Sequence, residues 1–512
     1  MIEAAIKYHK TSALILGLLL CAALPPYFYF WMAPLVFSLY YVLLLKQNGL
    51  KTAAACGYWF GFGFFAGGFY WIGNALLIDW QHTGWLYPIT LFLNGAFFGM
   101  FTVLPAMAVK CKFLRSDISK MLFFGAMWGI SAEWVRSWFC TGFPWNPLSS
   151  ILLFDDKLPQ GLAIFGTYGL SAILACVFCF PAMFLLKQNK KNLLLSFGGL
   201  VLPLFALYAY GKNVLPTNFE SAENVSVRLV QPSIEQTAEH SFERAENELK
   251  QHIELTKEQS LSGINFVVWG ETASPFDLTY ERGYMRQVAE VVPENGYLVS
   301  GMLRREFLPS GYDYKLYNSL ALINSAGQVV ELYSKNHLVP FGEYIPFRSV
   351  LPDFVHPLTN MVAEFGRGVK YQTIIPDGFA EFAPLICYEI IFSDNVVRKE
   401  NKPKWMILLT YDGWYGISSG PYQHLAAAQM RAIEEGINIV RSANSGISAV
   451  ISAYGQVMTQ IPLNERGIAD AKVPLSMAHG TLFGKFGHWI LLLTSGGMML
   501  LGFIFSVITR GK

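Results

Sequence analysis

Charge along this 512-residue chain is distributed in blocks, and the blocks constrain the fold more than any other feature. No Asp, Glu, Lys or Arg occurs in 52–78, 85–109, 158–186, 192–211 or 486–509. Each run is long enough for a helix to cross a hydrocarbon core of about 30 Å. Residues 11–30 and 31–45 add two candidates hinged at Pro25-Pro26, and 121–139 adds another, interrupted by Glu133 and Arg136. These predict eight membrane helices, seven before a polar block and one after it. Only 14% of the chain is charged, against about 25% in an ordinary soluble domain. The first run follows Lys7 and Lys10 as a signal peptide would, but no small-residue cleavage site follows and a second apolar run comes at once, so it reads as an uncleaved helix.

Lys and Arg orient the spans. They occur before the first (Lys7, Lys10), after the second (Lys46, Lys51) and after the fourth (Lys110, Lys112, Arg115, Lys120). They recur after the sixth (Lys187, Lys190, Lys191) and at Arg510 and Lys512. The alternation predicts cytoplasmic termini and a polar block on the opposite, oxidising side. A net charge of +2 and the absence of a basic stripe give no case for nucleic acid. The expected organisation is a seven-span domain over 1–211, a polar catalytic domain over 220–475 and a last helix over 486–509.

From Val225 the pattern changes to short β-rich runs alternating with amphipathic helical ones. Strands are predicted at 225–231, 264–269, 297–303, 382–387, 405–410 and 437–441. Hairpins are predicted around 324–327 and 454–455, and helices at 241–260 and 422–435. This is the pattern of one α/β domain with a mixed sheet.

Cys387 is the only cysteine in that block, so it has no partner there for a disulfide. At the end of a strand it is either inert core or a nucleophile. Glu271 and Lys335 also fall at strand exits, where α/β folds build their sites. The residue types suit acyl transfer: a thiol to attack a carbonyl, a carboxylate to take its proton, an ammonium to hold the oxyanion. The other cysteines (Cys21, Cys56, Cys111, Cys140, Cys176, Cys179) lie in or beside apolar runs and read as packing. His240, His252, His337 and His424 lack metal-ligand spacing, so neither metal nor cofactor is expected.

The flanking sequence is more specific. Trp269-Gly270-Glu271, Lys335-Asn-His-Leu-Val-Pro-Phe-Gly-Glu343 and Ile386-Cys387-Tyr388-Glu389 occur in that order. The chain thereby resembles the nitrilase superfamily. With its apolar runs, Glu133-x-x-Arg136 and Thr141-Gly-Phe-Pro-Trp145, it resembles the membrane-bound branch, the apolipoprotein N-acyltransferases. Asp412-Gly-Trp414, Gln423-His424, Arg431-Ala-x-Glu434 and Arg441-Ser-Ala-Asn444 extend the likeness. The resemblance implies an αββα sandwich beside the membrane helices. It implies Glu271 as general base, Lys335 as oxyanion partner and Cys387 as nucleophile, with Glu343, Tyr388 and Glu389 supporting. An acyl chain would pass from a membrane phospholipid, through a Cys387 thioester, to the α-amine of a diacylglyceryl-cysteine at an apolipoprotein N-terminus. The setting would be a bacterial inner membrane and the enzyme a monomer. A membrane-tethered amidase with water as acceptor is the alternative.

Other residues keep two readings. Trp414, Tyr415 and Trp145 either contact substrate or pack the interior. Glu389 either supports the triad or forms a strand-end ion pair. Glu133 and Arg136, on one helical face, either pair or help position lipid. The chain also departs from the family pattern: Gly270 stands where proline is usual, Tyr411 where asparagine is usual, and Gly413 where alanine is common. Tyr411 is thereby a candidate to re-line the acyl pocket.

Overall fold

Every apolar run picked out by the charge pattern is helical over most of its length in the computed structural model, which describes residues 6–237, 241–309, 313–350, 357 and 364–509. Among the described residues, four helical stretches are long and apolar enough to cross a membrane: Trp80–Ala108, Leu158–Leu186, Lys190–Val214 and Trp489–Ile508. A fifth results if Leu50–Gly68 and Tyr70–Leu77, which meet at a 44° bend, form one span. His9–Ala23 and Met32–Leu45 are apolar but shorter. The expected helix at 121–139 is broken. Asp117–Met127 is α-helical, Trp128–Trp134 widens into π-helix and Val135–Ser137 tightens into 3-10 turns. Unbroken length is what reduces the expected eight to four or five here, since bends and changes of helix type interrupt the rest.

The chain divides into two units, the first formed by Met1–Gly73, Trp85–Leu215 and Thr481–Lys512. Within it, small residues let helices touch. A Cβ on Gly17 would stand 2.0 Å from the carbonyl oxygen of Phe60, and one on Gly63 2.2 Å from that of Leu14. Such close approach is how helices associate where lipid removes the hydrophobic drive. On Lys190–Val214, Leu194, Phe197, Leu202 and Phe205 are exposed, as a lipid-facing surface requires.

Glu133 and Arg136 are both buried and pair at 3.1 Å. Glu133 also accepts from the Trp128 indole and the Leu148 amide, and Arg136 donates to the carbonyls of Ala132, Phe143 and Trp145. The pair therefore closes the loop back onto the broken helix. A buried charge needs that full set of partners.

The second unit is Asn74–Gly84 with Pro216–Gly480. It contains two mixed sheets rather than one. In chain order the strands are β1 Ser221–Gln231, β2 Phe266–Val268, β3 Tyr297–Phe307, β4 Tyr314–Asn324, β5 Val329–Ser334 and β6 Phe382–Ile386. Then follow β7 Trp405–Tyr411, β8 Asn438–Asn444, β9 Ser448–Ile451, β10 Val457–Ile461 and β11 Gly467–Pro474. One sheet has the order β11-β1-β2-β3-β4-β5, the other β10-β9-β8-β7-β6.

Strand alternation builds the layers. Val227, Leu229, Phe266 and Val268 enter a core shared with Ile386, Ile407, Leu409 and Val440 of the other sheet. Val230, Val267 and Trp269 face the opposite way, onto helices α1 (Phe242–Lys257) and α2 (Arg282–Ala289). Helix α3 (Gly420–Glu435) packs on the second sheet. The result is the αββα sandwich that the resemblance implies. Ser241 caps α1 by accepting the Arg244 amide, which explains where that helix starts.

Candidate active site

Glu271, Lys335 and Cys387 each lie just beyond a strand: Glu271 after β2, Lys335 after β5 and Cys387 after β6. The first two strands belong to one sheet and the third to the other, so the site forms where the C-terminal ends of both sheets meet. A backbone bond joins those ends, from the Glu271 amide to the Thr410 carbonyl at 3.3 Å. The crossing is close at Gly270: a Cβ there would stand 3.0 Å from the Asn444 nitrogen, so a larger residue would ask that strand end to give by a few tenths of an ångström.

Lys335 is almost completely buried and holds two carboxylates, Glu343 at 2.8 Å and Glu271 at 3.2 Å. Asn318 donates to both, at 2.7 Å to Glu271 and 3.2 Å to Glu343. Glu343 also accepts the Val339 amide at 2.8 Å, which folds the loop after Lys335 back on itself. Burial works against the Lys335 ammonium, but Glu271 and Glu343 outweigh it and hold its pKa well above the ordinary lysine value.

Cys387 opens a tight turn, Cys387–Ile391, with φ of 50°. A side chain in the left-handed region costs about 1–2 kcal/mol, so its neighbours must hold the turn. Glu389 does this from one side. Its carboxylate accepts the Ile386 amide at 2.8 Å, the Asn336 and His337 amides at 2.9 and 3.1 Å, and the Tyr333 hydroxyl at 2.7 Å. Among the described residues it makes no ion pair. It staples the nucleophile turn to the lysine loop, and this favours the supporting reading over the strand-end pair. Tyr388 follows Cys387 in the same turn, its ring edge-on to His337 and Phe392.

The thiol is buried, and burial with the Glu271 charge pushes its pKa up to about 12, Lys335 opposing. At neutral pH it is a protonated thiol. The Thr410 and Tyr415 side chains stand beside it. Tyr415 thus stands at the reacting group, in the turn Asp412–Tyr415, whose last carbonyl accepts the Asn74 amide at 2.7 Å. Trp414 is half-buried in that turn.

Tyr411 is not brought to the thiol. Thr410 faces Cys387, so Tyr411, one residue on, points the other way, to Asn444 and toward Glu248 and Arg244. Trp145 is buried in the first unit against Trp71 and Phe143. Residues not singled out beforehand are Asn318, Thr410 and Asn74, whereas Tyr333 opens the lysine motif Tyr333-Ser-Lys335. Asn318 emerges only from the register of the β4–β5 hairpin. Ser319 pairs with Ser334 across β4 and β5, and one further step sets Asn318 opposite Lys335.

Two mixed sheets with this cluster at their strand ends define a nitrilase-like domain, and residues 226–481 match the carbon-nitrogen hydrolase family. Residues 16–180 match a second family, the apolipoprotein N-acyltransferase N-terminal domain. A Rhodopseudomonas palustris apolipoprotein N-acyltransferase is 34% identical over 86% of this chain and 84% of its own length. Counterparts from Allorhizobium ampelinum and Rickettsia prowazekii are 33% and 32% identical, over 90% and 98% of this chain and 88% and 99% of theirs. The chain belongs to the apolipoprotein N-acyltransferase family.

Proposed function

We propose that this protein N-acylates lipoproteins, transferring an acyl chain from a membrane phospholipid to the α-amine of an N-terminal diacylglyceryl-cysteine by a ping-pong route through Cys387. The observation that carries the mechanism is the buried Lys335 held between Glu271 and Glu343 beside the Cys387 turn. A thiol with so high a pKa reacts only if a base takes its proton as it attacks. Glu271 does so while sulfur bonds to the ester carbonyl. The oxyanion is held by the Lys335 ammonium and the Tyr388 backbone N–H. Collapse breaks the ester C–O bond, and Glu271 returns the proton to the departing lysophospholipid oxygen. In the second half the amine attacks the thioester, Glu271 takes a proton from the nitrogen, and the C–S bond breaks as Glu271 passes that proton to the sulfur and restores the thiol. Tyr415 and Trp414 border the acyl chain.

The catalytic unit lies on the periplasmic side of a bacterial inner membrane, both termini are cytoplasmic, eight helical segments serve as spans, and the protein acts as a monomer. The test supplies purified protein with labelled phospholipid and a diacylglyceryl-cysteine peptide. Wild type forms a labelled acyl-enzyme and then N-acylated peptide, and Cys387→Ala forms neither. An acyl-enzyme on Cys387→Ala would remove the nucleophile assignment. Free fatty acid in place of acylated peptide would make water the acceptor.

A further inference from the structure

Cys387 is also held through its backbone carbonyl. There, three charged or ionisable side chains line up behind the nucleophile turn, all fully buried: Arg441, Asp412 and His424. Arg441 comes from β8, Asp412 from the turn after β7 and His424 from α3. Since β6, β7 and β8 are parallel neighbours, their C-terminal ends bring these groups to the residue that follows β6.

The Arg441 guanidinium bonds to one oxygen of Asp412, and His424 Nδ1 lies 2.8 Å from the other. His424 Nε2 then stands 3.2 Å from the carbonyl oxygen of Cys387. The Thr410 hydroxyl, on the side chain beside the thiol, bonds Asp412 at 3.1 Å. Asp412 therefore reaches the nucleophile by two paths, one to its backbone and one to its sulfur. A side chain on Gly446 would close this space, its Cβ falling 2.5 Å from the Asp412 carboxylate. Burying an Arg–Asp pair gives little net stability; Arg441 also donates to the Ile447 carbonyl at 2.9 Å, and the His424 arm of the cluster ends on the Cys387 carbonyl.

We propose that Arg441, Asp412 and His424 form a positioning relay that clamps the Cys387 carbonyl, holds the left-handed turn and so aims the thiol at the substrate carbonyl. None of the three touches substrate. The inference rests on Cys387 being the nucleophile.

Two substitutions of one residue separate the two bonds. In His424→Asn the amide nitrogen falls where Nδ1 was, keeping Asp412 and losing Cys387. In His424→Gln it falls near Nε2 and keeps the Cys387 carbonyl. Single-turnover thioester formation from labelled phospholipid is measured on full-length protein, with KM and thermal unfolding measured alongside. His424→Asn is expected to lower the acylation rate about 100-fold, the scale of a misaimed nucleophile, at unchanged KM. His424→Gln is expected to recover to within about tenfold of wild type. Wild-type acylation by His424→Asn overturns the relay. So does an equal loss in both variants that tracks lowered unfolding temperature, which would make His424 structural only. Cys387→Ala runs in parallel: acyl-enzyme there sinks the nucleophile reading and the relay with it, whereas its absence beside an active His424→Asn sinks the relay alone.

Discussion

The same carboxylate that serves Cys387 during attack works against its ionisation at rest. Burial and the Glu271 charge raise the thiol to about 12 from an ordinary value of 9.0. The proton is therefore bound more tightly in the folded protein than in the unfolded chain, and this contribution to stability falls as pH rises from about 9 to 12. Glu271→Gln removes one cause of the shift. It should speed passive alkylation of Cys387 by iodoacetamide several-fold at pH 8, followed by peptide mass spectrometry, while abolishing acyl transfer. Slower alkylation would mean that Glu271 does not act on the thiol. In wild type the alkylation rate should keep rising about tenfold per pH unit through pH 9, where a free cysteine levels off. Glu271, Lys335 and Cys387 were legible because each ends a β run and sits in a distinctive local motif. Asn318 was not, because its importance lies in the partner across the hairpin rather than in its own neighbours.

At the scale of elements, the site depends on turns held by side chains. The Glu389 carboxylate joins the end of β6 to the loop after β5 through backbone amides of both. Glu389→Gln turns an amide NH2 toward an N–H donor whichever way it rotates. The expected cost is about 1–3 kcal/mol, read by chemical unfolding, with faster hydrogen exchange at 334–338. Unchanged exchange in that loop would show that Glu389 does not join the two. Most strands were legible from apolar alternation. β11 was missed because Ile468, Ala469, Ala471 and Val473 sit among charges and the strand is completed by pairing with β1, more than two hundred residues earlier. The break at 128–137 escaped because hydropathy does not register a buried Glu133–Arg136 pair closing on its own helix.

At the scale of the whole molecule, the proposed orientation sets Cys140 and Cys111 on opposite sides of the membrane. Cys140 is exposed and Cys111 partly so. In cells with a permeabilised outer membrane, an impermeant maleimide should label Cys140 and spare Cys111 until the inner membrane is broken. The reverse pattern would invert the proposed orientation. Composition and charge made the helical and α/β halves legible, since they differ in the solvent each half must face. Hydropathy did not reveal that Asn74–Gly84, between two apolar helices, belongs to the α/β unit. Asn74 grips the carbonyl of Tyr415, whose side chain stands beside the thiol. The catalytic unit is thus assembled from two stretches of chain, and the shorter is synthesised first. A protein begun at Pro216 would carry all three reacting groups yet lack the strand of chain that steadies the tyrosine beside them, so activity should return only when 74–84 is supplied as well.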